Sequence, residues 1–276
     1  MSPSVVDKLN AEFWNELCGT GLARSLGITE PSLKDLRRFD DAYLSFYPYL
    51  VNYISPEDLR GKQVLEIGLG YGTLGQLLAS QACRYHGLDI AVNPVAMMRF
   101  RLSLLGQGDK NVQIGSALDI PYKNQSFQYV YSIGCLHHTG DLQRGVNEIH
   151  RVLVPGGTAV VMLYNRHSFR HLVDLPLRRV RHVLSTGWSS RFCSHWKEFV
   201  RSLYDSNFHG RPAPHTDFVS RREVSRLFRN FSSIRTEAQN FDSYSLLRGR
   251  IIIDRTRVLN GIAKVLGLDL YIVAVK

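Results

Sequence analysis

The stretch Val64–Gly75 reads "VLEIGLGYGTLG" and combines an apolar run, one acid and four glycines in twelve positions. The apolar run predicts a buried strand, and the glycines predict a tight turn because glycine adopts backbone conformations that other residues avoid. After the turn, Leu74, Leu77 and Leu78 recur at helical spacing. The stretch therefore predicts a strand, a glycine turn and a helix, in that order.

The same alternation continues along the chain. The segments "YHGLDI", "NVQIGSA", "SFQYVYSIG" and "GTAVVMLY" read as strands, and "PVAMMRFRLSLLGQ" and "DLQRGVNEIHRVL" read as helices. Two further strands, "IRTEAQNF" and "LDLYIVAVK", are joined by a segment that is expected to be helical in part. Strands that alternate with helices predict an α/β fold with a mostly parallel sheet, which binds ligands at the carboxyl ends of its strands.

Composition limits the class of protein. A chain of 276 residues, 44% of them hydrophobic, can form one large domain or a domain with an insertion. The acids near the N-terminus argue against a signal peptide, and no run approaches the ~20 apolar residues of a membrane span, so we expect a cytosolic protein. The cysteines form no CxxC pair and are expected to stay reduced, without a zinc site or disulfides. They are Cys18, Cys83, Cys135 and Cys193.

The net charge of +10 is distributed unevenly. Residues 1–165 hold 14 Lys and Arg against 15 Asp and Glu, whereas residues 166–276 hold 20 against 9. A basic C-terminal part favours an anionic substrate, an acidic partner or a phosphate-bearing surface. An ordinary solvated surface rich in arginine explains the same pattern.

Two glycine registers compete in the opening stretch. Gly70, Gly72 and Gly75 match the G-x-G-x-x-G pattern of dinucleotide-binding folds, and Asp89 follows at the spacing expected of a ribose-binding acid. This register predicts NAD. The first glycine of that pattern should, however, stand at the end of the strand, and the residue there is Gly68.

Counted from Gly68, the dinucleotide pattern fails because Thr73 occupies the place of the third glycine. The better description is E-x-G-x-G-x-G, with Glu66 at the end of the strand. A carboxylate at that point would repel a pyrophosphate. It suits a ligand with positive charge, such as a sulfonium and an α-ammonium group.

Four ordered pieces, "VLEIGLGYG", "GLDI", "GSALDIPYKNQSFQYVYSIGCLHH" and "EIHRVLVPGGTAVVMLY", resemble the class I S-adenosylmethionine-dependent methyltransferases. The branch is similar to the ubiquinone and menaquinone biosynthesis enzymes, and the resemblance runs from about Gly61 to Tyr164. It implies a Rossmann-like, seven-stranded, mostly parallel sheet with helices on both faces, an N-terminal helical cap and an insertion after the fifth strand. It also implies S-adenosylmethionine as cofactor and S-adenosylhomocysteine as product.

The resemblance carries over to particular residues. The glycines would let the backbone approach the amino-acid portion of the cofactor, Asp89 would accept from the ribose hydroxyls, and the chain after the third strand would flank the adenine. The expected cofactor-binding set is Glu66, Gly68, Gly70, Gly72, Asp89, Ile90, Ser116, Ala117, Leu118, Ser132 and Ile133. Ser116 is a departure, since the family commonly has an acid there. Its hydroxyl can still accept a hydrogen bond, without charge assistance, and its alternative role is simply to end a strand.

The pair His137 and His138 follows the predicted fourth strand. Metal binding is not expected, because adjacent side chains usually point apart and no third ligand is evident. His137 is the candidate general base, since imidazole titrates near neutral pH. Both histidines also serve, by resemblance, to shape the site.

The resemblance, together with charge and composition, implies a division of the chain into four parts. We expect a helical cap or lid at 1–60, the cofactor-binding core at 61–165, a basic insertion and candidate substrate lid at 166–230, and the last strands at 231–276. Trp14, Tyr43 and Tyr47 are candidate lid residues, and ordinary packing onto the sheet is their alternative.

The insertion contains a basic amphipathic segment whose apolar face comprises Val173, Leu177, Val180 and Leu184. It fits a substrate lid, a surface that touches anionic lipid, or a helix packed on the core, and Pro176 favours a helix that begins near it. The loop that follows is the expected place of substrate recognition. The candidate substrate-binding residues are Tyr43, Tyr164, Asn165, Arg211, His215 and Asp217, with Arg211 or Arg166 as counter-charges for an anionic acceptor.

The leading functional hypothesis is a small-molecule methyltransferase that acts on an anionic metabolite, a lipid or a natural-product intermediate. A nucleic-acid methyltransferase is the second hypothesis, although "SIGCLHH" stands where a base-methylation motif would be. A cofactor-binding regulator without catalysis is the third. The identity of the acceptor and the oligomeric state do not follow from this sequence.

Overall fold

A computed structural model describes residues 3–16, 21–28, 32–186, 190–246 and 250–276. Its main sheet has the strand order β3-β2-β1-β4-β5-β10-β7, and a short β6 pairs with the end of β5. The strands are β1 (Gln63–Ile67), β2 (Arg84–Asp89), β3 (Val112–Ile114), β4 (Phe127–Ile133), β5 (Leu153–Asn165), β6 (Phe218–Val219), β7 (Ser233–Gln239) and β10 (Asp269–Val275). A separate antiparallel hairpin comprises β8 (Tyr244–Leu246) and β9 (Ile251–Ile253).

Strands β1 to β6 run parallel within the sheet, and β10 lies antiparallel between β5 and β7. The predicted α/β fold with a Rossmann-like, mostly parallel sheet is therefore confirmed. The sheet is one short strand larger than predicted, because Phe218 and Val219 pair with Tyr164 and Asn165 at the end of β5. The strand order reverses between β1 and β4, which is where sheets of this type bind ligands.

The helices cover both faces of the sheet. They are α1 (Pro3–Trp14), α2 (Gly21–Ser25), α3 (Leu33–Phe46), α4 (Pro56–Leu59), α5 (Thr73–Ala79), α6 (Val92–Leu104), α7 (Leu142–Val152), α8 (Leu175–Thr186), α9 (Ser190–Ser202), α10 (Arg221–Leu227), α11 (Arg255–Val258) and α12 (Ala263–Leu266). Adjacent strand residues point to opposite faces. Val64 accordingly packs in the core on the side of α5 and α6, and Leu65 in the core on the side of α7 and α10.

The N-terminal helices lie over the carboxyl ends of the strands. Ser32 caps α3 by accepting from the Asp35 N–H, and Phe39 of α3 stacks on Tyr71 of the glycine turn with ring centroids 4.1 Å apart. From α1, the Asn10 side-chain amide donates to the His138 carbonyl at 2.8 Å. Both helices thus close over the edge where the ligand of such a fold binds.

The insertion after β5 begins with a π-helical turn, Arg170–Asp174, which leads into α8. Leu177, Val180 and Leu184 are exposed, with 81% of Leu184 accessible. The interpretation of this apolar face as packed on the core is therefore wrong for its part in α8, since among the side chains described for that helix only Leu175, at its start, is buried. The lid and lipid-surface hypotheses stay predictions. Among the described helices, none has the length and apolar character needed to cross a membrane.

Candidate active site

A cavity of about 250 Å³ runs along the carboxyl ends of the strands, under α1 and α3. In the order of the sheet, its wall contains Asp89 at the end of β2, the glycine turn after β1, Ile133 at the end of β4 with Gly134 after it, Met162 and Tyr164 of β5, and Tyr271 of β10. The half beside β1 and β2 is called the cofactor end below. The half beside β4, β5 and β10 is called the acceptor end.

The glycine turn brings the backbone against its neighbours more closely than a side chain would allow. Gly68 has φ +84°, a conformation that L side chains rarely adopt, and a Cβ there would lie 2.5 Å from Cys135 Cβ. Gly72 has φ +76°, and a Cβ there would lie 2.7 Å from Arg101 Cδ. The two glycines therefore serve the close packing of the turn as well as its shape.

Arg101 of α6 is completely buried beneath the turn. Its guanidinium donates to the Tyr71 carbonyl, to Gln76 Oε1 at 2.7 Å and to both carboxylate oxygens of Asp40 at 2.7 and 2.9 Å. Asp40 belongs to α3 and also accepts from the Thr73 hydroxyl at 2.6 Å. This buried pair ties the covering helix to the cofactor end. Sequence reasoning missed it, although an arginine inside an apolar helix segment was a signal.

Asp89 is buried at the end of β2 and borders the cavity. Its carboxylate accepts from the Leu69 N–H at 2.7 Å and from the Ala91 N–H at 2.9 Å. Burial raises the pKa of Asp89, and these backbone donors oppose that shift because they favour the charged form. The carboxylate is thus fixed in place, with remaining lone pairs for a ligand.

Glu66 is fully buried behind the glycine turn, and its carboxyl also borders the cavity. The Tyr85 hydroxyl donates to it, and a Cβ at Gly75 would lie 2.5 Å from Glu66 Oε2. Burial raises the pKa of Glu66 to about 8. A positive group placed nearby would favour its charged form.

Asp7 of α1 supplies a carboxylate beside Ser116. The Ser116 hydroxyl donates to Asp7 Oδ2 at 2.6 Å and accepts from the Leu118 N–H at 3.1 Å. Asp7 borders the cavity, and its other oxygen, Oδ1, is buried without a hydrogen-bond partner among the described residues. The acid that the resemblance leads one to expect at position 116 is therefore present from a different element, 109 positions earlier in the chain.

The remaining residues of the predicted cofactor set divide into two groups. Ile90, Ala117 and Ile133 border the cavity together with the three glycines, whereas Ser116, Leu118 and Ser132 do not. Leu118 instead points toward Gly145 of α7, and a Cβ there would lie 3.7 Å from its Cδ2. Ser132 is buried within β4, where strand alternation turns only one of two neighbours, Ile133, toward the cavity.

His137 is completely buried and does not border the cavity, so the expectation that it acts directly as a base is wrong. Its ring lies on Tyr164 with centroids 4.0 Å apart. Burial, together with His138, lowers the pKa of His137 well below its ordinary value, which keeps the ring neutral. His137 therefore supports the wall of the acceptor end, and His138 is the histidine that reaches the cavity.

His138 and Asp205 meet at the acceptor end. His138 Nδ1 lies 2.7 Å from the His215 carbonyl, which makes Nδ1 the protonated nitrogen, and Nε2 lies 3.5 Å from Asp205 Oδ2. The Tyr164 hydroxyl donates to the same carboxylate oxygen at 2.7 Å. Asp205 follows α9 in the loop that was expected to recognise the substrate, although it was not among the candidate substrate-binding residues chosen from that loop.

The same residues form a group with the donor atoms of a metal site. One ligand atom each of His137, His138 and Asp205 lies within 4.8 Å of the others. Both premises of the argument against a metal are therefore wrong. The two histidine rings do not point apart, because they lie on a 3₁₀ turn, Leu136–His138, that directs both to one side. Asp205 supplies the third donor atom. The predicted absence of a metal site stays a prediction.

Of the candidate substrate-binding residues, Tyr43 and Tyr164 border the cavity, whereas the others do not. Asn165 is buried and donates to the Gly267 carbonyl at 2.8 Å. His215 pairs with Asp217 at 3.0 Å and supports His138 through its carbonyl. His215 and Asp217 lie outside the wall, because this part of the loop contacts the His137 backbone and the His138 ring, whereas Asp205, earlier in the loop, borders the cavity.

The expected counter-charges also lie elsewhere. Arg166 donates to the Phe218 carbonyl and pairs with Glu223 at 3.2 Å, and Arg211 is exposed outside the cavity wall. A second cavity, of about 750 Å³, contains basic residues of the insertion. They are Arg179, Lys197 and Arg201. The positive charge of the C-terminal part is thus not directed at the acceptor end.

A protein-family model described as "Methyltransferase domain" matches residues 65–161 of the chain. The chain is 27% identical over 156 residues to phosphoethanolamine N-methyltransferase 2 of Caenorhabditis elegans. The matched region covers 50% of this chain and 36% of that protein. It is 29% identical over 126 residues to the ubiquinone biosynthesis O-methyltransferase of Pseudomonas aeruginosa, covering 45% and 54% respectively. The chain thus spans about a third to about half of the length of these relatives.

Among solved structures, the fold is similar to an S-adenosylmethionine-dependent methyltransferase of Methanosarcina mazei. The TM-score is 0.51 at 18% identity, and the similarity covers 83% of this chain and 97% of that one. At this identity the likeness concerns the fold alone.

Proposed function

The chain belongs, through residues 65–161, to the class I S-adenosylmethionine-dependent methyltransferases, and we propose that it methylates a small molecule held at the acceptor end. The match over residues 65–161 confirms the resemblance seen in the sequence motifs. S-adenosylmethionine is the cofactor of this family. The substrate class, the residue roles and a cytosolic location belong to the proposal.

The residues of the cofactor end fit this cofactor. Asp89 would accept from the ribose hydroxyls, and the turn from Gly68 to Gly72 would hold the amino-acid portion. The buried, unpartnered oxygen of Asp7 offers an acceptor for the adenine amino group, with Ser116 holding the carboxylate in place. Asp89 puts negative charge close to a ligand with an ammonium and a sulfonium group, and such a ligand would favour the charged form of Glu66.

The bound cofactor supplies a methyl group on an activated leaving group. The protein has then to align the acceptor with that methyl group and to exclude water. Helices α1 and α3 cover the cavity, and the Asp40–Arg101 pair holds α3 to the glycine turn. At the acceptor end, Tyr164 and Asp205 would hold the acceptor, and His138 Nε2 would take a proton where the acceptor must lose one.

One observation carries the choice of a small molecule over a nucleic acid. The cavity is continuous from the glycine turn to Asp205 and covered by helices, and no lysine or arginine is among the described residues that border it. A nucleic acid would need cations along its phosphates. The covered, acidic cavity instead supports an acceptor that enters whole.

The experiment is a methyl-transfer assay with radiolabelled S-adenosylmethionine, offered in parallel a small-molecule metabolite extract and total RNA. We expect label in small molecules and none in RNA, and we expect Asp89→Ala to reduce the transfer. Label in RNA, combined with binding that falls steeply with salt, would instead favour the nucleic-acid hypothesis. Tight cofactor binding without any transfer would favour a regulator.

A further inference from the structure

The cavity wall is acidic. Four carboxylates border it, from α1, β1, β2 and the insertion, namely Asp7, Glu66, Asp89 and Asp205. The first three lie at the cofactor end, where a ligand of the proposed kind would face them. Asp205 alone lies among the residues of the acceptor end, so its charge is directed at the acceptor.

The arginines near the acceptor end are engaged with other groups. Arg170 pairs with Asp242 at 2.6 Å, and Arg255 lies over the Phe46 ring at 3.8 Å from its centroid. Neither borders the cavity. A carboxylate or phosphate on the acceptor would therefore meet Asp205 without a countering cation from the described wall.

Aromatic rings form much of the remaining wall at this end. Tyr43 and Tyr47 lie with centroids 4.8 Å apart, and Trp14 lies 4.8 Å from the His138 ring. Tyr164 and Tyr271 complete the aromatic wall. Faces of aromatic rings attract cations, and a carboxylate beside them supplies the charge-assisted hydrogen bond that an ammonium group needs.

A further acid, Asp269, is buried beside the acceptor end. Asp269 begins β10 opposite Tyr164 and is fully buried. Burial raises the pKa of Asp269 to about 7, and Asp205 and Asp242 contribute to the rise. A positive group placed at the acceptor end would favour the charged form of Asp269.

We infer that the methyl acceptor is an organic amine and that Asp205 binds its ammonium form between the aromatic rings. This inference rests on the proposed function and names its substrate class. The amine must lose a proton before it reacts, and His138 Nε2, whose partner Nδ1 faces the His215 carbonyl, receives it. The nitrogen lone pair then forms the N–C bond while the C–S bond breaks and its electron pair stays on sulfur. The products are a methylated ammonium and a neutral thioether.

The test measures binding to the protein loaded with S-adenosylhomocysteine. Matched probes share one skeleton and differ in charge: 2-phenylethylamine, 2-phenylethanol and 3-phenylpropionate, followed by aliphatic amines with the corresponding alcohols and acids. We expect amines to bind about 10-fold or more tightly than the matched alcohols, and acids to bind most weakly. Asp205→Asn keeps an acceptor for the Tyr164 hydroxyl and should remove the preference for amines. Asp109→Asn, at an exposed position outside the cavity, should keep it.

The outcomes separate the two proposals. A wild-type protein that does not bind S-adenosylhomocysteine would overturn the proposed function itself. Normal binding of that product, combined with no amine bound across the panel, a preference for acids, or an unchanged preference in Asp205→Asn, would overturn the amine inference alone. Tight binding of zinc chloride that Asp205→Asn abolishes would assign these donor atoms to a metal and would also overturn it.

Discussion

The two ends of the cavity are built in different ways. The cofactor end rests on consecutive residues of two neighbouring strands and their turns, with Asp89 fixed by the Leu69 and Ala91 backbone. The acceptor end combines β4, β5 and β10 with helices from the N-terminus and with Asp205 of the insertion. Local backbone geometry therefore defines most of the first end, to which α1 adds Asp7, and contacts between distant segments define the second.

This difference separates the part of the site that tolerates few substitutions from the part that tolerates more. A turn whose glycines contact Cys135 and Arg101 tolerates little change. Helices and loops around a sheet can change residues without altering the turn, because the rigid scaffold positions them. We therefore expect substitutions at the cofactor end to act on folding and cofactor affinity, and substitutions at the acceptor end to act on acceptor choice.

The link between the two ends should show the largest effect. Asp40→Ala leaves the buried Arg101 guanidinium without its carboxylate and should lower the free energy of unfolding by about 3–5 kcal/mol. Arg38→Ala, which breaks an exposed pair with Asp35 on the same helix, is the control and should have little effect. Denaturant titration measures both. Equal effects would mean that α3 is not tied to the turn through Arg101.

Gly68→Ala tests the close packing of the turn. The positive φ costs about 1–2 kcal/mol for alanine, and the contact with Cys135 adds to it, so we expect a loss of stability of about 2–4 kcal/mol. Gly61→Ala has a similar φ of +71° with open space around it and should show the conformational cost alone. Thermal unfolding of both variants gives the comparison. A loss at Gly61 as large as that at Gly68 would remove the role of the contact.

Asp89→Ala tests the charge of the cofactor end. Loss of the carboxylate should weaken S-adenosylhomocysteine by about 1–3 kcal/mol, the scale of a hydrogen bond to a charged group. Asp205→Ala should leave that affinity unchanged. Calorimetric titration of both variants distinguishes the ends, and an unchanged affinity in Asp89→Ala would put the ribose elsewhere.

The Asp7–Ser116 pair tests whether a distant helix completes the cofactor end. Asp7→Ala should weaken S-adenosylhomocysteine by about 1–2 kcal/mol, because the adenine amino group loses a charged acceptor. Adding Ser116→Asp to that variant should restore part of the affinity by returning an acid to the strand side. No recovery in the double variant, or full affinity in Asp7→Ala, would argue against this contact.

The buried acid of the acceptor end should show an effect that depends on pH. The pKa of Asp269 is raised to about 7, so the folded protein keeps a proton that the unfolded chain loses near pH 4. This contribution to stability is present at low pH and is lost as pH rises toward 7, by about 1.4 kcal/mol per pH unit at most. Asp269→Asn should lack that loss. Parallel slopes for the two proteins between pH 4 and 7 would contradict it.

Most of the fold and of the cofactor end could be predicted from the sequence. Strand alternation and glycine spacing are local patterns, and Gly68, Gly70, Gly72 and Asp89 all border the cavity as expected. The capping box that begins α10 at Ser220 is a local signal of the same kind, and the structure contains it. Interactions between residues close together in the chain were sufficient to predict these features.

The acceptor end could be predicted only in part. Tyr43 and Tyr164 border the cavity, but nothing local distinguishes Asp205 from the other polar residues of its loop. Asp7 lies 109 positions before Ser116 in the chain, and its role depends on how α1 crosses the sheet. Net charge did not indicate the lining of the acceptor end, since basic residues of the insertion border a separate cavity. Such features follow from tertiary packing, which no short motif encodes.

The central claim is that the cofactor end binds an adenosyl cofactor with a positively charged sulfonium rather than a dinucleotide. Isothermal titration of the wild-type protein with S-adenosylmethionine, S-adenosylhomocysteine and NAD measures it directly. We predict saturable binding of both adenosyl ligands at one site and no binding of NAD. Tight binding of NAD with no response to either adenosyl ligand would contradict the account.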